Sequence, residues 1–413
     1  MTDYVGTAGD DIITGSSQAD NFYLTQGGDD AADGKRGDDY FDLGAAFTAD
    51  DSIVGGEGSD YLALNGDYKT DVVFTATTIS GIDVITMQAG ENYRLVLDDA
   101  NIAAGETLFI AASGLGARDG ARVTATGETD GQVWFNGGGG DDKLLGGAMA
   151  DVFNDPNADA DRGSDTIKGG DGGDYILLSN SFEGSDKIDG GAGLTDQVVI
   201  LTGYPSGLTV DGGMLKGVEV FQINGTGEAS FALTMTDSGL KPTLGLWILA
   251  TTLGTTALDF DASAETDGTY RVETAGGADT LVAGALSDTL RSGTGDDLLT
   301  GGGGADRLEG ATGSDRFIYL ATADSTAGGA DLIVDLDGSD VIDLSAIDAK
   351  ASKAGDQAFN LVAAFTGKEA QAVLSYDGGL NLTSLSLDTN GDAIADSVIT
   401  MVGDQTGFGG FAL

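Results

Sequence analysis

The sequence contains no cysteine and no histidine among its 413 residues. Without cysteine the chain can form neither a disulfide nor a thiolate metal site. Without histidine it can hold neither an HExxH zinc site nor a serine or cysteine triad with a histidine base. Carboxylate-pair hydrolysis and lyase chemistry by Tyr, Lys or Arg remain open. No carboxylate pair stands out, however, and we therefore expect no enzymatic activity.

Proline and basic residues are scarce. The three prolines, Pro156, Pro205 and Pro242, leave long stretches in which backbone ladders can run without interruption. Lys and Arg number 19 against 67 Asp and Glu, which gives a net charge of −48. Because so few cations are available to neutralise phosphate, we expect neither nucleic acid nor anionic lipid as a partner.

Long hydrophobic runs are also missing. The most apolar stretch, residues 244–254 (LGLWILATTLG), is too short and too rich in Thr to span a bilayer, so we expect no membrane span. The stretch MTDYVGTAGDDIITG at the start is acidic and lacks the basic start and apolar run of a cleaved Sec-type signal peptide. An exported protein with this sequence would need another export signal.

Glycine and aspartate, by contrast, are abundant. There are 69 Gly, and the 67 acidic residues divide into 56 Asp and 11 Glu. A surface made acidic only for solubility could use Glu as freely as Asp, whereas a short carboxylate within a tight Gly turn suits a hard cation such as Ca²⁺. We interpret the excess of Asp as the signature of multiple bound Ca²⁺ ions. The alternative is a merely solvated acidic surface.

The clearest regularity is a nine-residue period between Thr274 and Ile318, which holds five consecutive units. Each unit contains an Asp, and a large apolar residue follows two positions later. We interpret one unit as a turn of about six residues and a strand of about three, with two units closing one coil and coils stacking about 4.8 Å apart. This predicts that alternate aspartates stack, within the set Asp279, Asp288, Asp297, Asp306 and Asp315.

Stacked carboxylates repel one another where solvent is limited, and a Ca²⁺ ion between them reverses the sign of the interaction. Turn carbonyls would complete the oxygen shell of the ion. Several units depart from the pattern: Gln18, Met149 and Leu286 occupy a position that is usually Gly, and Ala32 replaces the large apolar residue. Weaker copies earlier in the chain add further candidate metal ligands: Asp11, Asp20, Asp30, Asp39, Asp60, Asp142, Asp151, Asp165, Asp174 and Asp186.

A longer period of 136 or 137 residues overlies the short one. GIDVITMQ at Gly81 returns as GVEVFQIN, and ETDGQVWFN at Glu128 returns as ETDGTYRVE. The segments at 67–135 and 203–273 alternate Val, Ile, Leu and Phe with Thr, Ser and Gly. This alternation predicts metal-free β-rungs that continue one solenoid. Separate small β-sandwiches are the alternative.

The nine-residue unit resembles the RTX, or haemolysin-type, calcium-binding repeat. Residues 319–413 resemble the tail that follows such repeats in secreted proteases of the serralysin type, through the stretch TADSTAGGADLIVDLDGSDVIDLSAID at 322–348. The resemblance implies a cap on the β-roll and an uncleaved type I secretion signal near the final GDQTGFGGFAL. Four tail aspartates either bind a further ion or form a polar cap: Asp324, Asp331, Asp340 and Asp343.

Together these patterns predict an all-β fold, a parallel β-roll or β-solenoid built from RTX nonapeptide repeats with intervening β-rung segments. Trp134 and Trp247 are expected to fill the β interior rather than to form sugar-stacking platforms. The predicted segments are N-terminal repeats at 1–66, a β-rung segment at 67–135, a repeat block at 136–202, a second β-rung segment at 203–273, the β-roll at 274–318, and the cap and secretion region at 319–413.

The expected function is that of a secreted, Ca²⁺-binding structural protein that folds on export without a cleaved N-terminal signal peptide. It would assemble with copies of itself at the cell surface or in the extracellular matrix, as an S-layer, filament or biofilm component, with cell-surface polysaccharide as a further partner. The resemblance supports this, since RTX proteins form S-layers and adhesins in Gram-negative bacteria. Two alternatives are a monomeric glycan- or cell-binding adhesin and a secreted polysaccharide-active enzyme or accessory module.

Overall fold

The structure is a computed structural model of residues 1–413, and it describes all of them except 89–91, 117, 156–162, 180, 194, 202, 205–206, 226–228, 237–244, 351 and 356. The described residues form 39 β-strands and one short 3-10 helix, Asp99–Asn101, with no α-helix among them. No helix in this described part has the length and apolar character needed to cross a membrane. The chain forms two compact units: unit 1 is Met1–Leu201 with Met214–Glu219, and unit 2 is Thr202–Gly213 with Val220–Leu413.

Unit 1 consists of short strands joined by turns. They are β1 (Asp3–Val5), β2 (Ile12–Thr14), β3 (Asn21–Tyr23), β4 (Ala31–Arg36), β5 (Tyr40–Gly44), β6 (Ser52–Glu57), β7 (Tyr61–Leu64), β8 (Val72–Val73), β9 (Ile79–Ser80), β10 (Val84–Met87), β11 (Tyr93–Val96), β12 (Thr107–Ala111), β13 (Ala121–Thr124), β14 (Gln132–Asn136), β15 (Lys143–Leu145), β16 (Val152–Asn154), β17 (Thr166–Asp171), β18 (Tyr175–Ser179), β19 (Lys187–Ala192), β20 (Gln197–Leu201) and β22 (Leu215–Lys216).

Unit 2 contains the remaining strands. They are β21 (Leu208–Val210), β23 (Val220–Asn224), β24 (Ser230–Met235), β25 (Leu246–Leu249), β26 (Ala257–Asp261), β27 (Tyr270–Glu273), β28 (Thr280–Val282), β29 (Thr289–Arg291), β30 (Leu298–Thr300), β31 (Arg307–Glu309), β32 (Arg316–Ile318), β33 (Asp331–Ile333), β34 (Val341–Asp343), β35 (Asn360–Leu361), β36 (Gln371–Asp377), β37 (Leu382–Asp388), β38 (Ser397–Val402) and β39 (Phe411–Ala412).

The five-unit run folds as its period predicts. Each unit gives one three-residue strand, and each strand pairs in parallel with the strand two units further along, so that Leu281 lies beside Leu299 and Leu290 beside Leu308. The middle residue of each strand points inward and is fully buried, while its neighbours face outward. This alternation follows from the two-residue period of a β-strand. The prediction of a parallel β-solenoid is confirmed.

Unit 1 is built from stacked coils whose strands lie on two opposite sides. On one side, β1, β3, β5, β7, β10, β12, β14, β16, β18 and β20 pair in parallel in that order. On the other, β2, β4, β6 and β9 form one ladder, and β8, β11, β13, β15, β17, β19 and β22 form another. Aromatic rings stack between coils in the interior, as Phe22 and Phe41 do at a centroid distance of 4.6 Å.

Unit 2 repeats this arrangement and then ends differently. The strands β21, β24, β26, β28, β30, β32, β34 and β39 form one parallel ladder, and β23, β25, β27, β29, β31, β33 and β38 form parts of the other side. The strands β36, β37 and β38 form an antiparallel meander. Because β38 and β39 pair with β33 and β34, the tail covers the backbone edge of the last regular coil.

The intervening segments are parallel rungs. Strands β11 and β13 lie in the ladder that contains the repeat strand β15, and β24 and β26 lie in the ladder that contains β28. The alternative of separate β-sandwiches is therefore wrong for the described residues of both segments. The rungs bury large apolar side chains in the same alternating pattern as the repeats.

The prediction that both tryptophans fill the β interior is wrong. Trp134 is 45% exposed and contacts Phe109 edge to face, and Trp247 is half-buried under the guanidinium group of Arg271, 4.5 Å from the ring centroid. Strand alternation explains the difference. Val133 and Phe135 take the inward positions of β14, so the residue between them must face outward.

Candidate metal sites

The repeat aspartates lie at the turns of the coils, each directly before a strand. Of the fifteen predicted ligands, fourteen are buried and Asp11 is half-buried. Burial of so many carboxylates in a chain with so few cations requires a compensating interaction. The compensation begins with hydrogen bonds along the stack.

One carboxylate oxygen of each of the fourteen buried aspartates accepts a hydrogen bond from the coil before it. The backbone N–H of Asp279 donates to Oδ1 of Asp297 at 2.8 Å, and that of Asp288 donates to Oδ1 of Asp306 at 2.8 Å. These are the two pairs that the nine-residue period predicts. In unit 1 the same bond, at 2.7–2.9 Å, joins Asp20 to Asp39, Asp39 to Asp60, Asp142 to Asp165, Asp165 to Asp186 and Asp151 to Asp174.

The second carboxylate oxygen is often unpaired. Oδ2 is buried and has no hydrogen-bond partner among the described residues in several ladder aspartates. A buried carboxylate oxygen without a partner is costly, because it has lost its water and gained nothing in return. The aspartates concerned are Asp39, Asp60, Asp174, Asp196, Asp297, Asp306 and Asp331.

Glycine carbonyls line the space beside these unpaired oxygens. A Cβ atom placed on Gly34 would meet Oδ2 of Asp39 and the carbonyl oxygen of Gly55, and one placed on Gly55 would meet Oδ2 of Asp60 and the carbonyl oxygen of Gly81. The same relation joins Gly169 to Oδ2 of Asp174 and the carbonyl oxygen of Gly190. Carboxylate and carbonyl oxygens around one small space form the donor set that Ca²⁺ prefers. The residues present therefore fit a hard divalent cation.

Burial raises the pKa of many ladder aspartates. It raises the pKa of Asp165 and Asp174 to about 7 and that of Asp306 to about 8, and the carboxylates of neighbouring coils add to the effect. The pKa of Asp142 is raised well above its usual value for the same reason. In the absence of a cation these groups take up protons near neutral pH. A divalent cation would replace the protons and carry the compensating charge.

Three units without glycine at the second position before the aspartate satisfy their own carboxylate. Gly58, Gly172 and Gly304 hold this position with positive φ angles of 142°, 114° and 126°. Gln18, Met149 and Leu286 hold it in the three departing units, without a positive φ, which side chains other than glycine rarely adopt. In those units a backbone N–H four residues before the aspartate donates to its Oδ2, at 2.7, 2.7 and 3.1 Å in Asp20, Asp151 and Asp288.

Asp142 departs from this relation. Its unit has Gly140 at the usual position with a φ of 89°, yet the N–H of Gly138 donates to Oδ2 at 3.1 Å. In the turns around Asp20, Asp142, Asp151 and Asp288, Oδ2 thus already accepts a backbone hydrogen bond.

Four ladder aspartates lie outside the fifteen predicted repeat ligands, although Asp331 and Asp340 were among the tail aspartates expected either to bind a further ion or to form a polar cap. Oδ1 of each accepts the N–H of the preceding aspartate in its ladder at 2.8–3.0 Å. The distance along the chain between partners in these pairs is 21–25 residues instead of 18, because the turns are longer. A large apolar residue two positions after each would have identified them: Asp51, Asp196, Asp331 and Asp340.

The tail aspartates thus divide into two groups. Asp331 and Asp340 continue the ladders of the β-roll. Asp324 instead accepts the backbone N–H groups of Leu320 and Ala321, and Asp343 pairs with Arg316 at 2.7 Å. The first two join the candidate metal sites, and the other two are structural.

Two acids of the duplicated motif extend the ladders into the β-rung segments. The N–H of Asp60 donates to Oδ2 of Asp83 at 2.7 Å, and the N–H of Asp196 donates to Oε2 of Glu219 at 3.0 Å. Both acceptors stand two positions after the glycine in GIDV and GVEV. The repetition of an acid at this place was the available signal, and the nine-residue period did not include it.

Comparison with known families supports this description. The RTX calcium-binding nonapeptide repeat matches at residues 3–30, 47–67, 129–153 and 157–180. The C-terminal domain of serralysin, a peptidase of the M10 family, matches at 272–411, which includes the five-unit run and the tail. These matches support a secreted calcium-binding protein with a type I secretion tail.

Two curated proteases share part of this sequence. The metalloprotease AprA of Pseudomonas entomophila is 48% identical over 88 residues, and the metallopeptidase AprA of Pseudomonas marginalis is 43% identical over 88 residues. The similarity covers 21% of this chain and 18% and 17% of those proteins, so the chain spans less than a fifth of their length. This chain contains RTX calcium-binding nonapeptide repeats followed by a serralysin-type C-terminal domain.

Proposed function

We propose that this chain is a Ca²⁺-dependent structural protein that folds after export and assembles with copies of itself at the cell surface or in the matrix. The observation that carries the calcium dependence is the set of buried, unpaired Oδ2 atoms beside glycine carbonyls. A folded chain without cations keeps these oxygens unsatisfied and its carboxylates partly protonated. Calcium therefore stabilises the folded state far more than the unfolded one.

The proposed switch works through the difference in calcium between the two sides of the membrane. Extracellular sites of this type have dissociation constants of about 0.1–1 mM, which cytosolic Ca²⁺ cannot fill. A site filled at about 100 times its dissociation constant adds about 2.7 kcal/mol, so a few sites match a usual net stability of about 5–15 kcal/mol. The acidic chain would stay unfolded for export and fold outside.

Circular dichroism of the full chain tests the switch. Strand signal should be weak in EGTA and should appear cooperatively as CaCl₂ rises into the millimolar range. Equal strand content in both conditions would remove the switch from the proposal.

An outward-facing apolar row supports self-assembly. In unit 1 one outward position on each of seven consecutive parallel strands lies in register with the next, and these seven positions carry only aromatic residues and valine. At about 4.8 Å per strand the row is roughly 29 Å long. An exposed apolar surface of this extent is typical of an interaction site. We call it the apolar row: Tyr40, Tyr61, Val84, Phe109, Trp134, Val152 and Tyr175.

Variants in the apolar row test the assembly step separately from folding. Tyr61, Trp134 and Tyr175 are 40%, 45% and 38% exposed, so changing them to Ser leaves the interior intact. In millimolar Ca²⁺, electron microscopy should show sheets or fibres of the native chain and none of the triple variant. Trp247→Ser is the matched control, since Trp247 faces outward beneath Arg271, outside the row. Monomers of the native chain at high concentration would refute assembly.

A basic row favours a second candidate function, adhesion to an anionic polysaccharide. Arg94, Arg122 and Lys143 lie in register on β11, β13 and β15 and face outward. The corresponding positions in unit 2 carry Ala232, Asp259 and Thr280, and so the row is specific to the first copy. In a chain of net charge −48 such a row concentrates scarce positive charge in one place.

Binding to a uronic acid polymer tests the second candidate. The calcium-loaded native chain should bind and should be released by added salt, because the contact is electrostatic. Arg122→Gln with Lys143→Gln should weaken binding, whereas Arg36→Gln with Lys216→Gln removes the same charge elsewhere in unit 1 and should not. Equal weakening by both pairs would indicate a net charge effect and no site.

A further inference from the structure

A cluster of three carboxylates lies in unit 1 apart from the aspartate ladders. One carboxylate oxygen from each of Asp99, Glu128 and Asp130 lies within 4.8 Å of one from each of the others. Two oxygens on opposite sides of one Ca²⁺ ion are about 5 Å apart, given Ca–O distances of about 2.3–2.6 Å. A single ion can therefore contact all three residues.

Glu128 supplies the observation that points to a ligand. Its side chain is 1% exposed, and Oε1 accepts the backbone N–H groups of Thr129, Asp130 and Gly131 at 3.1, 3.2 and 2.8 Å. Oε2 is buried and has no hydrogen-bond partner in the described part of the chain. Three donors hold one oxygen in place, and the other remains available to an ion.

The surrounding backbone fixes the cluster before any ion arrives. Asp99 begins the 3-10 helix, whose cap is closed by reciprocal hydrogen bonds between Asp98 and the helix. Thr129 donates its N–H and its hydroxyl to Oδ1 of Asp99 at 2.8 and 2.6 Å. The N–H of Gly105 donates to the carbonyl oxygen of Asp130 at 2.8 Å. The ligands thus come from two turns that are already joined.

Positive charge does not compensate the cluster. No salt bridge between residues that the structure describes involves Asp99, Glu128 or Asp130. Three carboxylates this close repel one another, most strongly at the buried member. A divalent cation removes this repulsion.

In the second copy of the module, a tyrosine hydroxyl satisfies the corresponding glutamate oxygen. Glu265 corresponds to Glu128, and its Oε1 likewise accepts the N–H groups of the three following residues, at 3.1–3.2 Å. Its Oε2, however, accepts the hydroxyl of Tyr270 at 3.2 Å. In the first copy the position of Tyr270 is taken by Val133, whose side chain cannot donate a hydrogen bond. The two copies thus differ in what satisfies one oxygen.

We propose that Asp99, Glu128 and Asp130 bind a divalent cation of the Ca²⁺ type, and that the Tyr270 hydroxyl takes the place of this ion in the second copy. None of the three residues is a ladder aspartate. It changes the interpretation of residues 67–135, which the sequence predicts to be metal-free.

Counting bound ions in the full chain tests this inference. Native mass spectrometry in saturating Ca²⁺ should show one ion fewer in Glu128→Gln and in Asp99→Asn than in the native chain. Asp99 is exposed, and Asn at this position retains the oxygen that accepts the N–H of Thr129. If Glu128→Gln fails to fold, the ion count of Asp99→Asn therefore tests the site. Glu265→Gln is the matched control and should keep the native count.

The outcomes separate this site from the ladders. A native count in folded Asp99→Asn would overturn the inference. Loss of one ion in Glu265→Gln would overturn the proposal that the Tyr270 hydroxyl takes the place of an ion in the second copy. Asp39→Asn reports on the ladders alone, so a failure of ladder binding would appear there and leave the result for Asp99→Asn unaffected.

Discussion

At the scale of single residues, a glycine two positions before the aspartate supplies the positive φ angle that several ladder turns require. Gly304 has a φ of 126°, and a Cβ atom there would lie 2.6 Å from the backbone of Leu286. Gly304→Ala should destabilise the calcium-loaded protein by about 1–3 kcal/mol, because the side chain is strained in this conformation. Thermal unfolding in saturating CaCl₂ measures the effect.

Gly303 provides the control for this substitution. It lies in the same turn without a positive φ, and the nearest atom to its added Cβ would be 3.3 Å away. Gly303→Ala should therefore cost clearly less. Equal losses in the two variants would show that the turn responds to any added side chain and that φ is not the cause.

The raised pKa values predict how the metal-free protein responds to pH. The pKa of Asp165 and Asp174 is about 7 and that of Asp306 about 8 in the folded state, all above the usual value of 3.8. Between the usual pKa of 3.8 and these raised values, the folded chain binds more protons than the unfolded chain. The free energy of unfolding therefore falls as pH rises through this range. In EGTA the residual strand signal should therefore be stronger at pH 5 than at pH 8.

Calcium reverses this pH dependence. The ion competes with protons for the same carboxylates, so its affinity should rise with pH over the same range. Calcium titrations followed by circular dichroism at pH 5 and pH 8 measure the shift. A metal-free protein that gains stability with rising pH would contradict the burial of these groups.

At the scale of the coil, one carboxylate has two separable roles. Oδ1 of Asp39 accepts the N–H of Asp20 at 2.8 Å, and Oδ2 is the unpaired atom that faces a cation. Asp39→Asn can keep the first role and loses the charge needed for the second. We expect about 2.7 kcal/mol less stability at about 100 times the dissociation constant of the site, and little loss when the Ca²⁺ concentration is only near that constant.

Asp38→Asn is the natural control for this change. Asp38 is exposed, and its Oδ1 accepts the N–H of Ser59 at 2.9 Å. Asp38→Asn therefore removes one charge from the same turn without changing a ladder hydrogen bond. Denaturant unfolding at the two Ca²⁺ concentrations gives the free energies to compare. If Asp39→Asn lost as much stability at the lower concentration as at the higher one, its role would be structural.

The sequence predicts elements well where the repeat is regular. In the five-unit run, a fixed period gives both the strand positions and the pairing of Asp279 with Asp297, because a coil of 18 residues leaves one possible register. Where the turns are longer, the nine-residue period no longer identifies which aspartates pair. Asp51 was not predicted as a ligand because its turn contains no glycine. The outward position of Trp134 was not predicted for another reason. The large size of the side chain suggested burial, whereas the alternation of side chains along β14 places it outward.

At the scale of the whole molecule, the net charge of −48 admits two physical explanations for dependence on salt. If the charge is only a solvated surface, any salt screens it, and NaCl replaces Ca²⁺ at sufficient ionic strength. If the charge is concentrated at buried oxygens, screening is weak there and an ion must enter the site. The burial of fourteen repeat aspartates favours the second explanation.

Folding in different salts distinguishes the two explanations. In EGTA, about 0.5 M NaCl should not restore the strand signal, because its Debye length of roughly 4–5 Å does not reach buried pairs. Millimolar CaCl₂ should restore it, and MgCl₂ should be less effective, since Mg²⁺ demands a smaller octahedral shell and keeps its water. Equal recovery in NaCl and CaCl₂ at matched ionic strength would show that screening suffices, and the ladders would then be acidic surfaces without bound ions.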